Sequence, residues 1–122
     1  MHHTVSLTEN YEFRRVYGRG KSAGSGHIVI YILPNRRKIN RLGITVSTKV
    51  GKAVVRNKVR RRLKEIYRLQ ETTVLRGFDI VIVARVKAVD ASYTQLEKDF
   101  FRLGKKLGLF SVESQKQAGN GL

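Results

Sequence analysis

Apolar residues along this chain follow two periods, and the switches between them divide it into elements. Phe13, Val16 and Tyr17 stand at i, i+3, i+4 spacing, which predicts a short helix capped by Thr8 and closed by Gly18 or Gly20. Strict alternation from His27 to Leu33 predicts a strand ended by the Pro34-Asn35 turn, with Ile28, Ile30 and Ile32 on one face and Val29 and Tyr31 on the other. A second strand from Leu42 to Ser47 turns Leu42, Ile44 and Val46 one way. Gly43, Thr45 and Ser47 turn the other way, a small and polar face against which something can lie. The helical period returns over residues 49 to 68, where Val55, Val59, Leu63 and Ile66 share one narrow arc. A buried-looking strand from Asp79 to Arg85 follows. The last helix runs from about Ser92 to Leu107, with a stripe of Tyr93, Leu96, Phe100, Leu103 and Leu107 and a capping box at Ser92 and Gln95. The expected architecture is an α/β sandwich in which helices cover one face of a small sheet.

Charge changes this picture. Opposite the apolar arc of the central helix stand Arg56, Asn57, Arg60, Arg61, Lys64 and Arg68, with Glu65 as the one acid among them. A helix that is only solvated interleaves both signs, because like charges at i, i+4 spacing destabilise it. The chain has 25 Lys and Arg against 9 Asp and Glu, and sixteen of those cations but no acid fall between Phe13 and Lys64. The net charge of +16 therefore resides in one contiguous stretch, the electrostatic footprint of a polyanion-binding protein. A membrane is the poorer partner, since no segment approaches ~20 apolar residues and cations occupy too much of the helix circumference for a lipid-facing stripe.

Length and composition bound the rest. A chain of 122 residues fits a single domain, here residues 1–110, followed by a polar, Gly-containing tail over 111–122 that is expected to be disordered. With no cysteine there is neither a disulfide nor a thiolate metal site, which fits a cytoplasmic protein. The Met1-His2-His3 start carries no secretion signal. His2, His3 and His27 are too scattered to mark a metal site.

The segment Val50-Gly51-Lys52-Ala53-Val54-Val55-Arg56-Asn57-Lys58-Val59-Arg60-Arg61 resembles the Gly-x-Ala-x-x-Arg-Asn-x-x-x-Arg signature of the bacterial ribonuclease P protein family. Similarity extends to Tyr11-Glu12-Phe13-Arg14-Arg15-Val16-Tyr17, to the Gly20-Lys21-Ser22 turn, to Arg41 through Ser47 and to Gly77-Phe78-Asp79, so that it spans roughly residues 6 to 109. Tyr17 stands where the family commonly has Phe, and Arg replaces several Lys positions of the helix. The resemblance implies a two-layer α+β sandwich of αβββαβα order, with a small mixed sheet, three helices and a left-handed crossover, an exception to the usual hand. It also implies a protein that binds a catalytic RNA and promotes removal of the 5′ leader from precursor tRNA. In that family Mg2+ is held mainly by the RNA subunit, neither a small-molecule substrate nor a membrane is involved, and no residue of the protein is catalytic.

By the same resemblance the RNA subunit would meet Lys52, Arg56, Asn57, Arg60, Arg61, Lys64 and Arg68. The single-stranded leader would meet Phe13, Tyr17, Ser22, Tyr31, Lys49, Arg56 and Asn57. The residues independently offer a groove: the rings of Phe13, Tyr17 and Tyr31 can face a floor of Gly43, Thr45 and Ser47, and aromatic stacking tolerates any base. Helical spacing of Phe13 and Tyr17 is equally the pattern of core residues. Arg62, beside the apolar arc, is expected to lay its stem on the core. Two other classes stand beside this reading, a nuclease in its own right and a ribosomal or other RNA-packaging protein. A nuclease needs clustered carboxylates or a placed His, and the most cationic region has no carboxylate. Purified RNA-free protein is accordingly expected to leave precursor tRNA uncut, and multiple-turnover cleavage by the protein alone would place an active site in this chain.

Overall fold

In a computed structural model, which describes residues 1–111, five strands form one mixed sheet. They are β1 (Thr4–Ser6), β2 (Lys21–Gly24), β3 (Ile28–Pro34), β4 (Asn40–Val46) and β5 (Phe78–Ala84), in spatial order β1-β4-β5-β3-β2. β3 is antiparallel to both β2 and β5, whereas β4 runs parallel to β5 and β1. The helices are α1 (Asn10–Arg19), α2 (Ala53–Gln70) and α3 (Tyr93–Leu107). After β1 the chain follows the αβββαβα order, and α2 is the crossover between the neighbouring parallel strands β4 and β5. The expected disordered tail falls, from residue 112 onward, outside the described residues.

The helices do not share one face of the sheet, which corrects the expectation from periodicity. Ile28, Ile30, Ile32, Ile80 and Ile82 point to the layer of α2 and α3 and bury Leu63, Ile66, Leu96 and Phe100. The alternate residues Tyr31, Leu33, Val81 and Val83 make a second apolar face, on which Leu7, Phe13 and Val16 pack. Strands apolar on both faces need cover on both. α1 supplies the second cover, and only over part of the sheet.

Several boundaries differ from the sequence reading for local reasons. Glu9, not Thr8, precedes α1, and Glu12 reaches back to accept the Glu9 N–H at 3.3 Å. Gly20 rather than Gly18 ends that helix; a Cβ at Gly20 would lie 2.6 Å from the carbonyl oxygens of both Val16 and Ile32. The segment read as helix from residue 49 is broken. A 3-10 turn spans Thr48–Val50 with Ser47 as its cap, and Gly51 then adopts φ 152 and ψ −168, a region open almost only to glycine, before α2 begins at Ala53. Lys21–Gly24, read as part of a turn, pairs with β3, and Thr4–Ser6 pairs with β4. α3 matches its expected bounds, with Ser92 accepting the Gln95 N–H at 3.1 Å and Gly108 at φ 74 closing it.

Between the sheet and α1 lies a buried ion network. The Arg41 guanidinium donates to Asp79 through Nε (2.8 Å) and Nη2 (2.6 Å) and pairs with Glu12 through Nη1. Asp79, its side chain 1% exposed, also accepts from Asn35 (3.0 Å) and Arg15 (3.3 Å). Burial alone would push the Asp79 carboxyl up, but the bonds from Arg41 and Asn35 outweigh it and hold the group below the usual carboxylate range. Its stabilising contribution is thus complete above the unfolded carboxylate value near ~4 and is lost as pH falls through the lower folded value. Asp79→Asn removes the carboxylate that takes two of the buried Arg41 guanidinium's bonds and leaves it only Glu12, so a loss approaching ~3 kcal/mol, the lower end for breaking a buried pair, is expected at pH 7. The gap between variant and wild type should narrow on acidification below about pH 4; urea denaturation of both proteins from pH 7 to 2 measures it.

Candidate nucleic-acid interface

Three successive α1-facing residues of β4 each receive one residue of α1. Arg41 holds Glu12 by charge, Gly43 lies under the Phe13 ring, and Thr45 Oγ1 bonds Tyr17 Oη at 2.9 Å. A Cβ at Gly43 would overlap that ring, so glycine is what lets the helix sit this low. Further along the sheet, Tyr17 meets Tyr31 edge-on, with centroids 5.0 Å apart at 76°, while Phe13 and Tyr17 are 6.5 Å apart. Ser22 is in register with Tyr31 and shares its face. Phe13, Tyr17, Ser22 and Tyr31 are therefore brought to one face of the sheet, but the small face of β4 is the floor for Phe13 and Tyr17 alone, because Tyr31 on β3 and Ser22 on β2 lie beyond the intervening strand β5. Phe13 and Tyr31 are half-buried in the second core while Tyr17 is exposed, so these rings are at once core and surface.

The cations of α2 form the neighbouring wall. Arg60 and Lys64 line a groove of about 400 Å³ together with Phe13, Gly43 and Ile44, which runs along β1 and past its end onto the open edge of β4. Arg56 is half-buried and donates from Nε to the Gly51 carbonyl at 3.1 Å, which fixes its direction at the start of the helix. Asn57 accepts from Arg60 at 2.8 Å and keeps its amide N–H groups to donate. Arg61 is exposed on α2, Lys52 is exposed as the residue that precedes the helix, and Lys49 is exposed on the turn before it. Arg68 differs from the rest, because Glu65 binds it at 2.5 and 2.9 Å and holds the carboxyl below its ordinary value chiefly through that bond. Arg62 lies half-buried and reaches the Ala91 carbonyl at 3.4 Å, as its place beside the apolar arc predicts.

Not every cation faces outward. Arg41 and Arg15 belong to the buried network, so two of the sixteen in the acid-free stretch neutralise the protein's own carboxylates. The buried carboxylates are all engaged: Glu12 and Asp79 in that network, Glu71 on the backbone N–H groups of His2 and His3, and Asp99 on Ser25 and His27. Among the described residues no group of three His, Cys, Asp or Glu could hold a metal ion. No described helix is long and apolar enough to cross a membrane. The surface sets cations beside half-buried aromatic rings, and among the described residues every buried carboxylate is already bonded.

The family model for ribonuclease P matches residues 1–108. The chain belongs to the ribonuclease P protein family. It is 42% identical over 106 residues to the ribonuclease P protein component of Natranaerobius thermophilus, covering 87% of this chain and 92% of that one. To the protein of Clostridium botulinum strain 657 it is 47% identical, covering 86% and 96%. Among solved structures, the RNase P protein of Staphylococcus aureus superposes with a TM-score of 0.80 at 32% identity, over 87% of this chain and 97% of that one. The protein of Thermotoga maritima gives 0.73 at 30% identity, over 80% and 92%. As a ribonuclease P protein component the chain is part of an endoribonuclease that processes tRNA and works as a ribonucleoprotein with an RNA subunit. The ribosomal reading is thereby set aside.

Sequence reasoning passed over Thr45 as a site residue and over Asn10, Arg14 and Arg85. The first was visible only as floor. Asn10, Arg14 and Tyr17 carry the i, i+4, i+7 spacing of one helix face, and the 79, 81, 83, 85 alternation of β5 places Arg85 on the cleft side, where its guanidinium approaches Gly24. Replacing Arg56, Arg60, Arg61 and Lys64 together with Ala is expected to weaken RNA binding broadly and to lower the log-log salt slope by just under one unit per lost phosphate contact. Titrations at several salt concentrations check this, and an unchanged slope in a folded variant would remove α2 from the interface.

Proposed function

We propose that the protein binds the catalytic RNA of ribonuclease P through α2 and holds the single-stranded 5′ leader of precursor tRNA in the cleft between α1 and the sheet, promoting leader removal. The supporting observation is the run of rings from Phe13 through Tyr17 to Tyr31 on one face of the sheet, the first two over Gly43 and Thr45, beside the cationic wall of Arg60 and Lys64. Stacking reads any base, and backbone cations read any sequence, which suits leaders that differ from one precursor to the next. On this reading Lys52, Arg56, Asn57, Arg60, Arg61, Lys64 and Arg68 meet the RNA subunit. Phe13, Tyr17, Ser22, Tyr31, Lys49, Arg56 and Asn57 meet the leader. Arg56 and Asn57 are given to both on the strength of the family resemblance, Asn57 being bonded to Arg60, which lines the groove.

Bond cleavage is assigned to the RNA. What supports this is that the buried carboxylates of the described residues are committed to cations, hydroxyl and backbone, and that no group of three His, Cys, Asp or Glu among those residues could hold a metal ion. The protein's own part is to bind, orient and neutralise phosphate charge. The reading places it in the cytoplasm with the RNAs it serves.

Tyr31→Ala should weaken holoenzyme binding of precursor tRNA by ~1 to 3 kcal/mol, one lost stacking partner, and leave binding of mature tRNA unchanged. Phe13→Leu keeps bulk over Gly43 while removing the ring, and should act in the same direction. Affinities for both tRNAs, read beside a denaturation curve, check the point. Equal losses for both tRNAs would make these rings core residues only.

A further inference from the structure

We propose that Asn10, Arg14, the Phe13 ring and the Tyr17–Thr45 hydroxyl pair form a one-nucleotide subsite that reads a ribose 2′-hydroxyl of the leader, so that the cleft prefers RNA to DNA. The inference rests on the leader reading above and adds residues and a specificity to it. These five residues line an open cavity of about 460 Å³ where α1 meets β4. Asn10, Arg14 and Tyr17 occupy one face of the helix, with Phe13 next to them and Thr45 opposite. A nucleotide presents a flat base, a phosphate and a ribose hydroxyl. The cavity presents an aromatic ring, an exposed guanidinium that has no ion pair among the described residues, an amide and a pair of hydroxyls.

The hydroxyl pair carries the specificity. Tyr17 Oη and Thr45 Oγ1 lie 2.9 Å apart in an exposed position, so one O–H donates to the other oxygen. The second O–H and the remaining lone pairs stay available, which leaves one donor and at least one acceptor side by side. That is the complement of a 2′-hydroxyl, itself donor and acceptor, and the group by which proteins tell RNA from DNA. A Phe in place of Tyr17 would keep the ring and lose the pair. If the bond serves only to pin α1 onto β4, its removal should weaken ribo and deoxy leaders alike, and this separates the two roles.

The test uses the reconstituted holoenzyme and precursor tRNAs carrying single 2′-deoxy substitutions along the leader, away from the scissile bond, with mature tRNA as reference. One leader position should be found at which the deoxy change weakens wild-type binding about five-fold, the loss of one ordinary hydrogen bond. In Tyr17→Phe and in Thr45→Val that penalty should vanish, because the protein partner is already gone. Either variant tests the same bond, so one that folds as wild type suffices. Arg14→Gln should keep the deoxy penalty while lowering the salt slope by just under one unit. A deoxy penalty that persists in both hydroxyl variants, or no sensitive leader position while precursor still binds better than mature tRNA, overturns the subsite and leaves the leader cleft standing. Equal wild-type affinity for precursor and mature tRNA overturns the leader reading and the subsite together.

Discussion

The pairing of Arg41 with Asp79 and Glu12 is the constraint on which the binding surface depends. A guanidinium and two carboxylates taken out of water are tolerable only when each is bound by the others, and here the Arg41 side chain bonds both acids. Asp79 comes from the neighbouring strand and Glu12 from α1, so the pairing ties three elements together with a direction that apolar packing lacks. Hydrophobic burial of Val16 against Val81 would hold α1 to the sheet. The charges decide where along the sheet it sits.

That position creates the cleft. Arg41, Gly43 and Thr45 present, in succession along one face of β4, a charge, an open space and a hydroxyl. α1 answers with a carboxylate, a ring and a phenol. Because the helix covers only part of the face, the aromatic rings that anchor it also border solvent, and the same side chains provide stability and a stacking surface. A cation-rich exterior is compatible with this arrangement because four of the nine acids, Glu12, Glu71, Asp79 and Asp99, are spent internally, on Arg41, Arg15, the backbone of His2 and His3, and His27.

How much of this the sequence shows depends on the range of each interaction. The three helices, the alternation of β3 and β4, and the cationic face of α2 follow from neighbours within a few residues, and all are legible. The Ser92 cap and the small face of β4 are legible for the same reason. The Arg41–Asp79 pairing joins residues 38 apart, so Arg41 reads from the sequence as one more RNA-binding cation. β1 is three residues long and owes its existence to the open edge of β4 and to Glu71 holding His2 and His3. Apolar positions on both faces of β5 were visible as burial, but not as the reason α1 must lie across the sheet from α2 and α3. The break at Gly51 hides inside a helical pattern because periodicity is blind to one backbone angle. The family resemblance supplied the roles of Ser22 and Lys49, which neither spacing nor charge distinguishes from ordinary turn residues.

The most direct measurement shortens the leader one nucleotide at a time and compares the affinity of each substrate for the holoenzyme with its affinity for the catalytic RNA alone. If the cleft holds the leader, the advantage conferred by the protein falls as the leader ceases to span α1, about 15 Å long by its ten residues, and it disappears for mature tRNA. An advantage that stays constant down to mature tRNA would contradict this and assign the protein's whole contribution to its contacts with the RNA subunit.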